Sequence, residues 1–147
     1  MLILGIDLEG INENLFEKGV DTRVDRVIEI GAVLWETRLD CPIKIYSELI
    51  DERDRLPLSE EVIELTGIDE KLLEDYALRS DEIGRALERL ALIVKKADFL
   101  MAHNGTKYDK PMLEAMYDRY NVEFPMKTWI DTQIDIEYPK KITHKSM

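Results

Sequence analysis

Met1-Leu-Ile-Leu-Gly-Ile-Asp-Leu-Glu-Gly-Ile-Asn12 is the stretch from which the fold of this chain can be worked out. Leu2 to Ile6 is an unbroken apolar run with one glycine, and its length predicts a strand buried on both faces. Two acids follow directly, at Asp7 and Glu9. Because side chains alternate along a strand, both acids should project from the same side of the sheet.

Two carboxylates on one side of a strand end repel each other unless a cation lies between them. Mg²⁺ and Mn²⁺ prefer carboxylate oxygens, so the pair indicates a divalent metal site. Gly10 and Asn12 are predicted to end the strand and to let backbone approach a ligand. The same pattern is also typical of an ordinary strand end with solvated acids, so its meaning depends on the rest of the chain.

The composition describes one globular domain of 147 residues with a formal net charge of −11. The acid excess excludes a broad basic face for coating duplex nucleic acid, so any nucleic-acid contact should be small and local. No apolar run is long enough to span a membrane, and no secretory signal precedes the first strand. The single cysteine, Cys41, excludes a disulfide framework and favours a cytoplasmic location.

The middle of the chain predicts an antiparallel meander followed by helices. Arg26–Trp35 and Pro42–Ile50 are predicted strands, and the polar segment Glu13–Asp25 between the first two strands is predicted to be a surface loop. Glu29 lies on an otherwise apolar strand face, which favours an acid at the sheet margin paired with an arginine over a ligand. Short helices are predicted at 59–66 and 69–76, a long one from Ser80 or Asp81 to Lys96, a strand at 98–102, a helix at 107–120 and a short apolar element at 128–134.

The second informative stretch runs from Met101 to Leu113 and reads as a strand, a polar turn and a helix start carrying Asp109. Sites in open α/β sheets form beyond the carboxyl ends of the strands. If this strand and the first one are parallel neighbours, Asp109 faces Asp7 and Glu9. Taken alone, Asp109 is more typical of a first-turn acid stabilised by the helix dipole, and Asn104 is more typical of turn chemistry.

Five stretches together resemble the DEDD (DnaQ-like) 3′→5′ exonuclease family. They are Ile6-Asp-Leu-Glu9, Ile28-Glu-Ile-Gly-Ala-Val33, Leu65-Thr-Gly-Ile68, Ala102-His-Asn-x-x-x-Tyr-Asp109 and Trp129-Ile-Asp-Thr132. The first and fourth are similar to the family's first two active-site motifs. The resemblance implies an α/β, ribonuclease-H-like mixed sheet, with a three-strand antiparallel meander plus parallel strands, flanked by helices.

The resemblance also implies a site for two Mg²⁺ or Mn²⁺ ions held by Asp7, Glu9 and Asp109, with a fourth aspartate from a third motif. Two ions can activate water and stabilise the leaving 3′ oxygen of an in-line displacement. The 3′-terminal nucleotide would contact the first motif, Ile68 would be a wedge beside the terminal base, and further residues would support the site. The implied substrate-site residues are Leu8, Gly10, Ile11, Ile68, Asn104 and Tyr108.

Two features depart from the family pattern. Gly10 stands where many relatives have Thr, and no His or Tyr followed by the third-motif aspartate is found. Neither Tyr138 nor His144 has an aspartate in the required place, and Asp131 and Asp135 come too early and are interpreted as structural. We therefore expect a chain that is truncated before its last motif or naturally short, and a poor exonuclease. We also expect an exposed apolar surface that drives self-association or is covered by another chain.

The sequence thus predicts a metal-dependent 3′→5′ exonuclease domain acting on single-stranded or frayed 3′ ends of DNA or RNA. One alternative is a catalytically incomplete metal-binding domain that recognises nucleic-acid ends or docks on a partner. A second is a ribonuclease-H-like endonuclease, which the spacing from His103 and Asn104 to Asp109 disfavours. DNA and RNA remain equally open, because the choice depends on a few 2′-hydroxyl contacts that the sequence does not place.

Overall fold

The computed structural model describes residues 1–136, which form five strands and five helices in an α/β arrangement. Within these residues, no helix is both long enough and apolar enough to cross a membrane. Tyr138 and His144 lie outside the described residues. In chain order the elements are β1 (Leu2–Ile11), α1 (Leu15–Lys18), β2 (Arg26–Glu36), β3 (Cys41–Leu49), α2 (Glu60–Thr66), α3 (Glu70–Tyr76), α4 (Asp81–Lys96), β4 (Phe99–Ala102), α5 (Asp109–Arg119) and β5 (Trp129–Asp131).

The strands form one mixed sheet in the order β3-β2-β1-β4-β5. β1, β2 and β3 follow one another in the chain and are antiparallel neighbours in the sheet, which confirms the predicted meander. β4 returns beside β1 in parallel after the helices, and β5 adds in parallel to β4. This order places the carboxyl ends of β1 and β4 at the same edge of the sheet, as the sequence predicted.

β1 is longer than the apolar run predicted. It continues through the acids to Ile11, and its register against β2 shifts between Glu9 and Gly10. The extension is possible because β2 continues opposite it, so the backbone hydrogen bonds do not stop where the apolar residues do. The predicted loop Glu13–Asp25 also contains one short helix, α1, whose start is capped by Asn14.

One face of the sheet carries the main core. Leu4, Ile6 and Leu8 are buried there, together with the predicted stripe of α4, namely Ile83, Leu87, Leu90 and Val94. The opposite face of β1 is only half-buried at Ile3 and Gly5 and is exposed at Asp7. The prediction that β1 is buried on both faces is therefore wrong for the part of the chain that the structure describes.

The opposite face of the sheet holds a largely apolar hollow of about 470 Å³. Its floor includes Gly5 of β1 and Gly31 of β2, and Asp7 and His103 lie at one end of it. Nearby, Ile43 and Ile45 of β3 are more than half exposed. An exposed apolar surface is thus present, as expected, but whether another chain covers it remains a prediction.

A second, smaller core lies beneath α2 and α3. It contains Ile11 and Ile28 from the sheet together with Ile68, Leu73 and Ala77 from the helical segment. Side chains cap both helices, since Ser59 accepts from Val62 N and Asp69 accepts from Leu72 N. Gly67 ends α2 in the left-handed region, as its position predicted. This packing holds α2 beside the carboxyl end of β1.

Candidate active site

The position of Asp109 is set by a difference in strand length. β4 pairs with β1 only along Ile3 to Gly5, so the rest of β1 has no strand partner on that side. α5 begins there, and Asp109 Oδ2 accepts a hydrogen bond from Leu8 N at 3.1 Å. The helix start thereby places a carboxylate between the backbone positions of Asp7 and Glu9, which brings the first two predicted motifs together.

The acids of β1 lie on the same side of the strand, as the alternation predicted, and they meet a further acid from β2. Glu9 stands opposite Glu29 in the β1–β2 register. Burial raises the pKa of Glu9, and the charges of Asp7 and Glu29 raise it further. Burial and the charge of Asp7 likewise raise the pKa of Glu29. Within residues 1–136 no arginine or lysine forms an ion pair with Glu29, so the predicted arginine partner is not found there.

Asp109 is the most deeply buried acid of this group. Only 4% of the residue surface is exposed. Burial raises the pKa of Asp109 to about 7, the charge of Asp7 adds to the rise, and the hydrogen bond from Leu8 N opposes it. A carboxylate buried beside other acids is costly to ionise even with backbone hydrogen bonds, and a cation beside it would offset that cost.

The turn between β4 and α5 is held by Asp131 of β5. Asp131 accepts hydrogen bonds from Asn104 N at 2.9 Å and from both the backbone and the hydroxyl of Thr106, and also from Gln133 N. Asn104 adopts the left-handed region with φ of 58°, as turn chemistry predicted. His103 Nδ1 lies 2.8 Å from Thr132 Oγ1. Asp131 therefore positions the segment that leads into Asp109.

The need for a glycine at position 10 is explained by the position of the Tyr108 side chain. A Cβ added at Gly10 would lie 2.6 Å from the Tyr108 hydroxyl, 2.9 Å from Met112 and 3.0 Å from the Arg26 carbonyl oxygen. The Tyr108 hydroxyl donates to Asn12 Oδ1 at 3.1 Å, and Asn12 Nδ2 donates to the buried Asp25 at 3.0 Å. The departure from Thr at this position thus makes room for the tyrosine of the second motif.

A cleft of about 690 Å³ opens beside the acids, a volume in the range of small-molecule sites. Leu8, Glu9 and Gly10 form its inner end, and Tyr108 lines it from α5. Its outer walls come from two short helices and their flanks. These wall residues are Asn12, Glu13, Asn14, Leu15 and Phe16 on one side and Ser59, Glu61, Val62, Leu65 and Thr66 on the other.

The structure separates the predicted substrate-site residues into two groups. Leu8, Gly10 and Tyr108 line the cleft, whereas Asn104 lies in the turn that Asp131 holds. Ile11 and Ile68 are both buried in the second core and do not line the cleft. Leu65, which lies in the last turn of α2 three residues before Ile68, lines the cleft instead and is 78% exposed.

Sequence reasoning missed Phe16, because it lies in a segment predicted to be a loop. Its side chain is fully exposed and lines the cleft. The available signal was local: Asn14, a good helix cap, is followed by the apolar pair Leu15 and Phe16 in an otherwise polar stretch. The sequence contained no signal that this pair and α2 line the same cleft, since the two segments are distant in the chain.

The donor set at the end of β1 fits a divalent cation in chemistry, because it consists of carboxylate oxygens. The observation that favours a cation there is that Asp109 is buried and has a raised pKa. As they stand in residues 1–136, no three His, Cys, Asp or Glu side chains are arranged to enclose a metal ion. Binding would therefore require Asp7, Glu9 and Asp109 to draw together, which their mutual repulsion opposes when no cation is present.

The family model of RNase T, described as an exonuclease, matches residues 4–139. The chain also resembles solved structures. E. coli exonuclease I in complex with a dT13 oligonucleotide superposes with a TM-score of 0.69 at 12% identity, covering 90% of this chain and 28% of that one. The nuclease domain of 3′hExo, a DEDDh family member bound to rAMP, gives 0.62 at 19% identity, covering 84% and 62%. A zinc-bound complex of E. coli exonuclease I with single-stranded DNA gives 0.70 at 12% identity, covering 90% and 28%.

These likenesses confirm the predicted ribonuclease-H-like mixed sheet with flanking helices. At these identities they concern the fold, and the chain spans less than a third of exonuclease I and about three fifths of the 3′hExo nuclease domain. No curated protein matched the sequence. The family model and the sheet together support a hydrolytic nuclease.

Proposed function

The chain belongs to the RNase T family of exonucleases, and from this we propose that it is a metal-dependent 3′→5′ exonuclease. Its substrate is a single-stranded or frayed 3′ end of DNA or RNA, and its product is a mononucleotide. The observation that supports this most directly is the buried Asp109 facing the acid pair of β1, beside a cleft of nucleotide size. The cytoplasmic location predicted from Cys41 stays a prediction.

Asp7, Glu9 and Asp109 are proposed to hold Mg²⁺ or Mn²⁺, two ions in the complete site. When bound, such ions supply Lewis-acid chemistry that activates water and stabilises the leaving 3′ oxygen. The chain's own residues fix this arrangement. Leu8 N holds the Asp109 carboxylate, and the turn secured by Asp131 fixes the start of α5. The cation would also lower the pKa of Asp109 and keep its carboxylate ionised.

The terminal nucleotide is proposed to lie along Leu8 and Gly10, with its scissile phosphate at the acids. The Tyr108 hydroxyl keeps Asn12 and the segment after β1 in place, so its role is to position the cleft wall. Asn104 supports the second motif through the backbone turn rather than through a contact with the substrate. Ile11 and Ile68 support the same wall from within the second core.

A catalytically incomplete domain that binds metal and nucleic-acid ends is the second candidate. The observation that favours it concerns the acids that follow the second motif. The carboxylate of Asp131 is occupied by four hydrogen bonds, and that of Asp135 accepts from Asp131 N. We propose no fourth metal ligand from these two acids, so residues 1–136 contain three proposed ligands.

The test is trimming of a 5′-end-labelled single strand in the presence of Mn²⁺. We expect a ladder that shortens by one nucleotide at a time from the 3′ end, at a low rate, and no release when Asp109 is replaced by Asn. Asp40→Asn is the matched control. Asp40 is an exposed acid in the β2–β3 turn with φ of 52°, a conformation that Asn tolerates well.

Other outcomes separate the alternatives. Internal cuts that depend on Asp109 would point to an endonuclease. Binding of Mn²⁺ and nucleotide without any hydrolysis would favour the catalytically incomplete domain. Equal trimming by wild type and Asp109→Asn would place the chemistry elsewhere and overturn the proposal.

A further inference from the structure

β3 forms one edge of the sheet, and a short window of that edge is open. Proteins usually protect a sheet edge with prolines, bulges or covering segments. At one end of β3, Pro42 and a register shift against β2 interrupt the ladder. At the other end, Leu78 N donates to the Leu49 carbonyl oxygen, and the Leu78 carbonyl oxygen accepts from Asp51 N. Between these two ends, no segment within residues 1–136 pairs with the edge at 44–48.

The open window presents the backbone groups of Ile45 and Ser47. Ile50 N donates to the Ile28 carbonyl oxygen, so the even-numbered residues of the window exchange their hydrogen bonds with β2. The odd-numbered residues point their N–H and C=O groups away from the sheet, as the Leu49 carbonyl does at the end of the window. Two donors and two acceptors are therefore available to an added strand.

The side chains of the window are apolar on one face of the sheet and charged on the other. Ile45 lines the hollow on the face opposite α4 and is 69% exposed. Lys44 and Glu48 lie on the α4 face, two residues either side of Tyr46. Tyr46 itself is buried under α4, where its hydroxyl donates to the Ala86 carbonyl oxygen at 3.0 Å. The window is therefore its own charge complement when it is reversed about Tyr46.

We propose that β3 pairs with β3 of a second copy of this chain, antiparallel and about a two-fold axis at Tyr46. This register places Ile45 opposite Ser47 of the second copy, and the two such pairs exchange four backbone hydrogen bonds. Lys44 then stands opposite Glu48 of the second copy in a non-hydrogen-bonded pair, where side chains are closest. The two Ile45 side chains become diagonal neighbours, and the two sheets join into one.

Hydrogen bonding and charge together select this register over its neighbours. An axis at Ile45 would place Ser47 opposite Ile43, where the ladder is interrupted, and would leave Lys44 without an opposite charge. An axis at Lys44 would bring the two lysines face to face. An axis at Ser47 would place Ile45 opposite Leu49, whose carbonyl oxygen is already bonded. The Tyr46 axis matches both the open backbone groups and the charges.

The first test is the oligomeric state, measured by sedimentation equilibrium over a range of protein concentrations. Physiological ionic strength is needed, because it screens the repulsion between two chains of net charge −11. Wild type should form dimers that dissociate on dilution. Ser47→Pro removes an outward N–H and should abolish the dimer, while the ladder with β2 loses no hydrogen bond. Its melting temperature at low protein concentration should stay close to that of wild type.

The second test reverses the charges of the proposed pairs. Lys44→Glu places two acids opposite each other, and the two-fold axis makes the change act twice, so the dimer Kd should rise roughly 10- to 100-fold. Lys44→Glu combined with Glu48→Lys re-forms the pair with its signs exchanged and should restore dimers. Restoration will be partial, because Glu48 also pairs with Arg89 of its own chain at 3.6 Å. Lys71→Glu is the matched control, an exposed lysine of α3 with the same change of charge.

The outcomes that contradict the proposal are distinct. A chain that stays monomeric at every concentration overturns it, and so does a dimer whose Kd is unchanged by both Ser47→Pro and Lys44→Glu. An equal loss of dimer in Lys71→Glu would assign the effect to net charge and overturn the proposed register. Binding of an extended segment of another protein to a chain that remains monomeric would assign the edge to a different partner.

Discussion

Asp109 at the start of α5 and Asp131 at the end of β5 lie at the two ends of the segment that follows the β4–α5 turn, and both are almost completely buried, with 4% and 1% of their surfaces exposed. The protein shifts the pKa values of these two acids in opposite directions. Burial raises the pKa of Asp109 to about 7, although Leu8 N and the backbone of Asp109 itself donate hydrogen bonds to its carboxylate. Burial also opposes ionisation of Asp131, but hydrogen bonds from Thr106, Gln133 and Asn104 outweigh it and hold the pKa of Asp131 below its usual value.

The difference shows how a buried acid is recognised as structural or functional. An acid whose oxygens are filled by donors is ionised at neutral pH and has no capacity left for a ligand. An acid buried beside other acids with few donors destabilises the fold unless something positive joins it, and such groups cluster at functional sites. Burial alone does not separate the two cases. The number of donors and the sign of the nearby charges do.

The largest expected effect is the loss of nuclease activity when Asp109 is replaced. Asp109→Asn should lower the rate of Mn²⁺-dependent nucleotide release by about 10²–10³-fold, because it removes charge that acts at the reacting phosphate. Its melting temperature in chelator should not fall. Measuring both in parallel is essential, since a variant that lost activity by unfolding would say nothing about the site.

The second largest expected effect is the loss of protein stability when Asp131 is replaced. Asp131→Asn must turn an NH₂ group toward one of two pairs of donors, so we expect a loss of roughly 2–4 kcal/mol in the free energy of unfolding. That corresponds to a fall in Tm of about 10 °C. Asp98→Asn is the control, because Asp98 is an exposed acid that accepts from one backbone donor, Leu2 N. Similar Tm values for the two variants would show that the four hydrogen bonds to Asp131 add nothing to the stability of the protein.

The rise in Tm on adding Mn²⁺ should also distinguish variants of Asp109 from variants of Asp131. A ligand that binds only the native state stabilises it by about 2.7 kcal/mol at 100 times its Kd. Asp131→Asn should keep this rise in Tm, measured from its own lower starting value, whereas Asp109→Asn and Asp7→Asn should lose most of it. Asp40→Asn serves again as the control. An undiminished rise in Asp7→Asn would place the metal elsewhere.

The smallest expected effect is a pH dependence of the metal-free protein. The pKa of Asp109 is raised on folding, so the native state holds its proton more tightly than the unfolded chain. Its contribution to stability is therefore present below about pH 4 and is lost as the pH rises to about 7. In chelator, wild type should lose stability relative to Asp109→Asn across that window. Parallel stability curves for the two proteins would exclude an uncompensated Asp109.

The sequence predicted the elements that have local signals. Alternation in β1 and β2, the apolar stripe of α4, and the caps at Ser59 and Asp69 all depend on residues close together in the chain, and the structure confirms them. The pairing of the two motifs was also predictable, because parallel neighbours place their carboxyl ends at one edge. The assignment of Asp7, Glu9 and Asp109 as metal ligands stays a prediction.

The tertiary structure alone decided which apolar residues reach the cleft. It also decided which buried acids have their carboxylate oxygens filled by hydrogen-bond donors. Ile68 looked like a wedge in sequence, but packing against Ile11 and Ile28 buries it and leaves Leu65 at the surface. Asp109 and Asp131 look alike in sequence, yet the donors around them come from β1 in one case and from the turn after β4 in the other. Periodicity fixes which side of an element a residue faces. What lies on that side depends on contacts between distant segments, which no local pattern encodes.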